Sequence, residues 1–212
     1  MESNWAAEHL QVIRTLMERS AIYRRALAPV MTWNGILGMF GAVGGRLAGL
    51  DTARGFIGFW AAVAALALAG SFFLVRRQAL KESEPFWSPP TRRVTQAMLP
   101  ALFTGLILGV LGFFWTPTVA QTPETLTTMS WVPIGWVILY GCAIHSAGFF
   151  MPRGMKIFGW AFVIAGCGLL AAGTPDLKHS DYSYGIMGCF FGVLHLAYGV
   201  YLYFSEKRRD ET

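Results

Sequence analysis

Six apolar runs, at about residues 30–50, 55–75, 98–115, 131–151, 157–172 and 184–204, contain no aspartate or glutamate. Runs of this kind are what a helix needs to cross the ~30 Å hydrocarbon layer of a bilayer. A backbone surrounded by hydrocarbon must also satisfy its own hydrogen bonds, which a helix does within one segment. Only 14% of the 212 residues are charged and 54% are hydrophobic, far from the roughly 25% charged content of soluble domains. The fold expected is all-α: a polytopic integral membrane protein with a six-transmembrane-helix bundle over residues 29–205, built of three hairpins. The runs leave no room for a separate soluble domain of ordinary size.

Lysine and arginine set the orientation. With the runs taken as alternating spans, fourteen of them fall on one side: the stretch before Pro29, the Arg76–Arg93 connection, Arg153 and Lys156, and Lys207–Arg209. Arg46, Arg54 and Lys178 fall on the other. Both termini are therefore expected in the cytoplasm, with the protein in the plasma (inner) membrane. Pro85, Phe86, Trp87, Pro89 and Pro90 stiffen the Arg76–Arg93 connection and suit the headgroup layer, so no nucleic acid is expected as a partner.

Residues 1–28 read as a cytoplasmic amphipathic helix lying at the interface. Trp5, His9, Leu10, Val12, Ile13, Leu16 and Met17 share one arc, and Glu8, Gln11, Arg14, Thr15 and Glu18 take the other. Pro29 is expected to end it. Its charges also rule out the early apolar core of a cleaved signal sequence. Residues 206–212 form a basic cytoplasmic tail.

Small residues predict where helices meet. Gly41, Gly45 and Gly49 form GxxxGxxxG in the first run, and Ala61, Ala65 and Ala69 in the second supply a matching seam, so these two are expected to make a tight hairpin. Gly105 with Gly109, and Gly188 with Gly192, are further packing positions. Cys142, Cys167 and Cys189 all lie in apolar runs, as small reduced hydrophobes.

Two histidines stand deep in apolar sequence. Gly135–Gly154 holds His145 and Gly185–Tyr203 holds His195 in the same outline: a glycine, nine residues, a histidine, one residue, an alanine. A fainter echo links Ile57-Gly58-Phe59-Trp60 to Ile134-Gly135-Trp136. The plain reading is two core histidines, each hydrogen-bonded to a tyrosine, a serine or a backbone carbonyl, with Ser146, Tyr140 and Tyr198 nearest in sequence. The sharper reading is a b-type haem: His145 and His195 as axial ligands, Gly141, Gly148 and Gly192 making room for the porphyrin, and Tyr198 among the aromatics sealing its faces. Depth argues against it, because His145 lies eight residues from Arg153 and His195 twelve from Lys207. Their rings come out about a turn apart.

No closed metal site is expected, since Cys142 and His145 form an i,i+3 pair without a second such pair. The runs lack the intramembrane carboxylates of a transport pathway, and the chain has no GxSxG, HExxH or phosphate-cradling loop. The expectation is a non-enzymatic accessory or regulatory membrane component. It would act in the lipid bilayer by helix packing with another copy of itself or with a membrane or cytosolic protein. A haem-binding electron-transfer or haem-sensing protein is the alternative, and a small-solute or lipid carrier the third.

Overall fold

The computed structural model describes residues 26–81, 86–116, 122–173 and 181–210. Among them every regular element is helical. The helices are α1 (Ala26–Leu47), α2 (Ala53–Lys81), α3 (Pro89–Trp115), α4 (Pro123–Ala147), α5 (Arg153–Ala172), α6 (Asp181–Met187) and α7 (His195–Asp210). A π-helical stretch, Gly188–Leu194, joins α6 to α7 into one continuous rod. Six helices are long and apolar enough to cross a membrane: α1 to α5, and the rod over Asp181–Ser205.

The helix ends differ from the sequence expectation where proline and arginine were read as loop. α2 continues through Arg76 and Arg77 to Lys81, and α3 begins at Pro89, so most of the expected Arg76–Arg93 loop is helix. Proline at a first turn forfeits no intrahelical bond, and arginine is a good helix former. The expected loop up to Ser130 is likewise cut short. Thr122 caps α4 by accepting from the Thr125 N–H at 3.2 Å, with Pro123 at the first helical position. Pro29, expected to end a helix, lies within α1, and Leu27, Ala28 and Met31 beside it are buried together in the core. The amphipathic helix expected before it lies outside the described residues, apart from its last positions.

Spans consecutive in the chain run antiparallel, as do α1 and the rod. α1 meets the α6–α7 rod with Thr32 at Gly199, Gly35 at Leu196, Met39 at Gly192 and Ala42 at Gly188. α4 meets α5 with Gly141 at Phe162, His145 at Gly159 and Gly148 at Lys156. α3 lies on α4 through Trp136, whose indole faces Gly105 and Gly109 and donates from Nε1 to the Gly105 carbonyl at 2.8 Å. α2, α4 and the rod share one core cluster of Phe56, Trp60, Met129, Val132, Tyr184 and Met187. α1, α3 and α5 each pack against two of these three: α1 on α2 and the rod, α3 on α2 and α4, α5 on α4 and the rod.

The tight α1–α2 seam takes another form. Gly41 and Gly45 seat the Trp60, Phe59 and Tyr184 rings, whereas Ala61, Ala65 and Ala69 are exposed. Among the described residues nothing lies within reach of an added Cβ on Gly49, which adopts a positive φ of 63° and so turns the chain at the end of α1 instead of packing a helix. The closest backbone approach of α1 is to the rod instead. There an added Cβ on Gly38 would collide with the Phe191 carbonyl and the Gly192 nitrogen. Asn34 of α1 has a polar partner on α2, accepting from the Ser71 hydroxyl at 3.2 Å.

Replacing Gly38 by alanine should therefore destabilise the protein by about 1–3 kcal/mol through forced separation of α1 from the rod. Gly44→Ala, at an exposed position with nothing within 4 Å of the added atom, should not. Thermal unfolding of both variants in one detergent checks the difference.

Candidate functional site

His195 is the first residue of α7, directly after the π-helical stretch, and only 1% of its surface is exposed. Its Nδ1 lies 2.9 Å from the Phe190 carbonyl oxygen. A carbonyl only accepts, so Nδ1 carries the proton. Nε2 is then an acceptor, and the Tyr140 hydroxyl of α4 donates to it at 2.8 Å. The imidazole thus ties α4 to the π-helical stretch and gives the Phe190 carbonyl a donor where the ordinary helical ladder is interrupted. Single π turns recur at functional positions in other helices.

An aromatic cage encloses the ring. Phe158 and Phe162 of α5 stand edge-on at 5.3 and 5.5 Å, Phe191 stacks at 6.0 Å, and Tyr140 tilts over it at 5.3 Å. Phe158 and Phe162, four residues apart, share one face of α5. Tyr198 continues the stack against Phe158 at 4.5 Å.

His145 has different surroundings. It is half-buried, with Nδ1 a long 3.5 Å from the Lys156 carbonyl and its ring edge-on to Phe149 and Trp160. Trp160 lies roughly 200° around α5 from both Phe158 and Phe162. The two histidines therefore touch opposite sides of α5. They also differ in level: Tyr140 is opposite His195, and His145 is five residues further along α4, roughly 7.5 Å.

The glycines named with the histidines close interfaces. An added Cβ on Gly141 would meet the Gly159 carbonyl at 2.9 Å, one on Gly148 the Lys156 nitrogen at 2.9 Å, and one on Gly192 the Met39 nitrogen at 3.0 Å. Where room for a porphyrin was expected, helix backbones touch. With both His195 nitrogens engaged and the imidazoles on opposite sides of α5, these residues do not fit a bis-histidine haem. Among the described residues no three His, Cys, Asp or Glu side chains converge as metal ligands. Cys142 is half-buried and Cys167 and Cys189 are exposed, all as free thiols.

Comparison with protein-family models, with curated proteins and with solved structures finds no match.

Tyr140 stood among the hydrogen-bond candidates in the sequence. Phe158 and Phe162 did not, although their i,i+4 spacing marks a common face. The π turn has no signal there, because Gly188 and Gly192 read as ordinary helix packing.

Tyr140→Phe should cost about 1–3 kcal/mol by leaving the buried Nε2 acceptor unpaired. His195→Ala should cost about 3–5 kcal/mol, since it opens a cavity and orphans two polar groups. Nitrogen NMR of labelled histidine should show Nδ1 protonated in the wild type. Thermal unfolding gives the order of the variants, and a smaller loss for His195→Ala than for Tyr140→Phe would overturn the clamp.

Proposed function

We propose that this chain is a non-enzymatic component of the plasma (inner) membrane, an accessory or regulatory protein that acts by lateral association of its helices. The observation that carries this reading is the outward face of α2. Ala61, Ala65 and Ala69 form one ridge there, flanked by Ala62 and Ala64, and all five are exposed. In an apolar medium large side chains gain nothing over lipid by pairing, and association goes through small residues that let backbones approach. The sequence assigned this ridge to α1, but α1 meets α2 through Trp60, Phe59 and Val63. The ridge is thus free for a neighbour, either a second copy or another membrane protein.

The polar groups inside the bundle support a structural role over a chemical one. His195 is held at both nitrogens, and Trp136 and Asn34 spend their polar atoms on neighbouring helices. Haem binding, the alternative expected from the sequence, would need His195 released from Tyr140 and Phe190.

Both termini are proposed to be cytoplasmic. The support is the fourteen-to-three distribution of lysine and arginine, together with the antiparallel succession of helices that places the start of α1 and the end of α7 at one end of the bundle.

In a cysteine-free background, Ala65→Cys should give a disulfide-linked dimer in membranes if the neighbour is a second copy. Ala65→Leu should lower the associated fraction by about tenfold in single-molecule counting after gentle solubilisation. Association that Ala65→Leu leaves unchanged would remove α2 as the contact. Orientation has its own check: an impermeant maleimide added to intact cells should label Thr122→Cys and spare Ser88→Cys, and the reverse pattern would turn the protein round.

A further inference from the structure

α2 and α3 contain 29 and 27 residues, roughly 40 Å of helix each, against the ~30 Å of a hydrocarbon layer. At one end the surplus carries Arg76, Arg77 and Lys81 on α2 and Arg92 and Arg93 on α3, and all five side chains are exposed. At the opposite end Arg54 of α2 donates to the Phe113 carbonyl of α3 at 2.9 Å and Ile57 reaches Gly112. That antiparallel register puts Arg76, Arg77 and Lys81 at the same end of the helix pair as Arg92 and Arg93.

The tip is fixed in place. Phe86 packs edge-on against Phe72 at 4.8 Å, and the Thr91 hydroxyl donates to the Phe86 carbonyl at 3.0 Å. α3 has no acid in its first turn and no side-chain cap from Ser88, so the positive end of its dipole adds to the cations. The acidic side chains that the structure describes, Asp51 and Asp181, lie at the other end of the bundle. Glu82 and Glu84 of the connection still leave the cations in excess.

Directly beside the cations the surface turns apolar, with Phe72, Phe73 and Leu80 exposed at 51%, 65% and 70% and Trp87 at 60%. A soluble anion would use only the charged half of this surface. An amphiphile uses both, with its phosphate on the arginine forks and its chains along Phe72 and Phe73.

We propose that the α2–α3 tip is a binding site for anionic phospholipid, with Arg76, Arg77, Lys81, Arg92 and Arg93 holding the headgroup phosphate. It rests on the reading that these helices span a bilayer. The full-length protein, purified in detergent and mixed with phosphatidylglycerol or phosphatidylcholine, is assayed for retained lipid by native mass spectrometry.

The wild type should retain phosphatidylglycerol at least about tenfold over phosphatidylcholine. Arg92→Gln/Arg93→Gln should weaken that retention by about fivefold for each cation removed. Arg92→Lys/Arg93→Lys should keep most of it, and Lys207→Gln/Arg208→Gln/Arg209→Gln in the tail should keep all of it. Millimolar inorganic phosphate should not displace the lipid.

Equal retention of the two lipids by the wild type would overturn the site while leaving the membrane reading in place. Equal loss in the tip and tail variants would reduce the effect to net charge and overturn the site as well. Retention of neither lipid would remove the membrane reading together with the site.

Discussion

Helices as apolar as these gain little by exchanging one apolar neighbour for another, so their pairing is decided by how closely backbones can approach. That constraint is met by glycine at the tightest crossings. Gly141 and Gly159 bring α4 onto α5, and Gly35, Gly38 and Gly192 bring α1 onto the α6–α7 rod. At each crossing an added methyl group would strike main-chain atoms, which cannot swing aside as a side chain can. Inside the frame these crossings make, α2, α4 and the rod share one core cluster of Phe56, Trp60, Met129, Val132, Tyr184 and Met187.

Close approach fixes distance, and a few hydrogen bonds fix register. Tyr184 donates to the Leu50 carbonyl at 3.0 Å and Arg46 pairs with Asp181, so the end of α1 is tied to the start of the rod. Arg54 closes α2 on the last turn of α3, and Tyr140 with His195 fixes α4 against the π turn. The buried groups among these, Tyr184 and His195, are costly unless paired, so sliding their helices would forfeit the pair. The histidine that looks reactive in the sequence is therefore better understood as a register pin.

The sequence was most legible where physics is averaged over many residues. Six helices emerge from hydropathy alone, because length and apolarity summed over a run leave little else for it to be. Single-residue inferences fared unevenly. Tyr140, nearby in sequence, did prove a histidine's partner, but the alanine ridge expected to face α1 points outward, since small residues announce a close contact without saying which neighbour makes it. Near Arg76 and Thr122 the helices outrun the apolar runs, because cations and prolines, which look like loop in sequence, are compatible with a terminal helical turn. The π turn could not be read, because Gly188 and Gly192 look in sequence like ordinary helix packing.

The two internal echoes illustrate the same difference between pattern and contact. The stronger one aligns His145 with His195, yet in the bundle Tyr140 occupies the level of His195 and the histidines touch opposite sides of α5. The fainter one, Ile57-Gly58-Phe59-Trp60 against Ile134-Gly135-Trp136, has a structural counterpart. Trp60 rests on Gly41 of α1, and Trp136 rests on Gly109 of α3. Both tryptophans sit on an even-numbered helix and fill a glycine gap in the odd-numbered helix that precedes it. They part at the polar atom: Trp136 Nε1 donates to the Gly105 carbonyl, whereas Trp60 Nε1 is buried with no partner among the described residues. Shared seating therefore comes from ring size and the gap it fills, and the hydrogen bond is an addition specific to the α3–α4 pair.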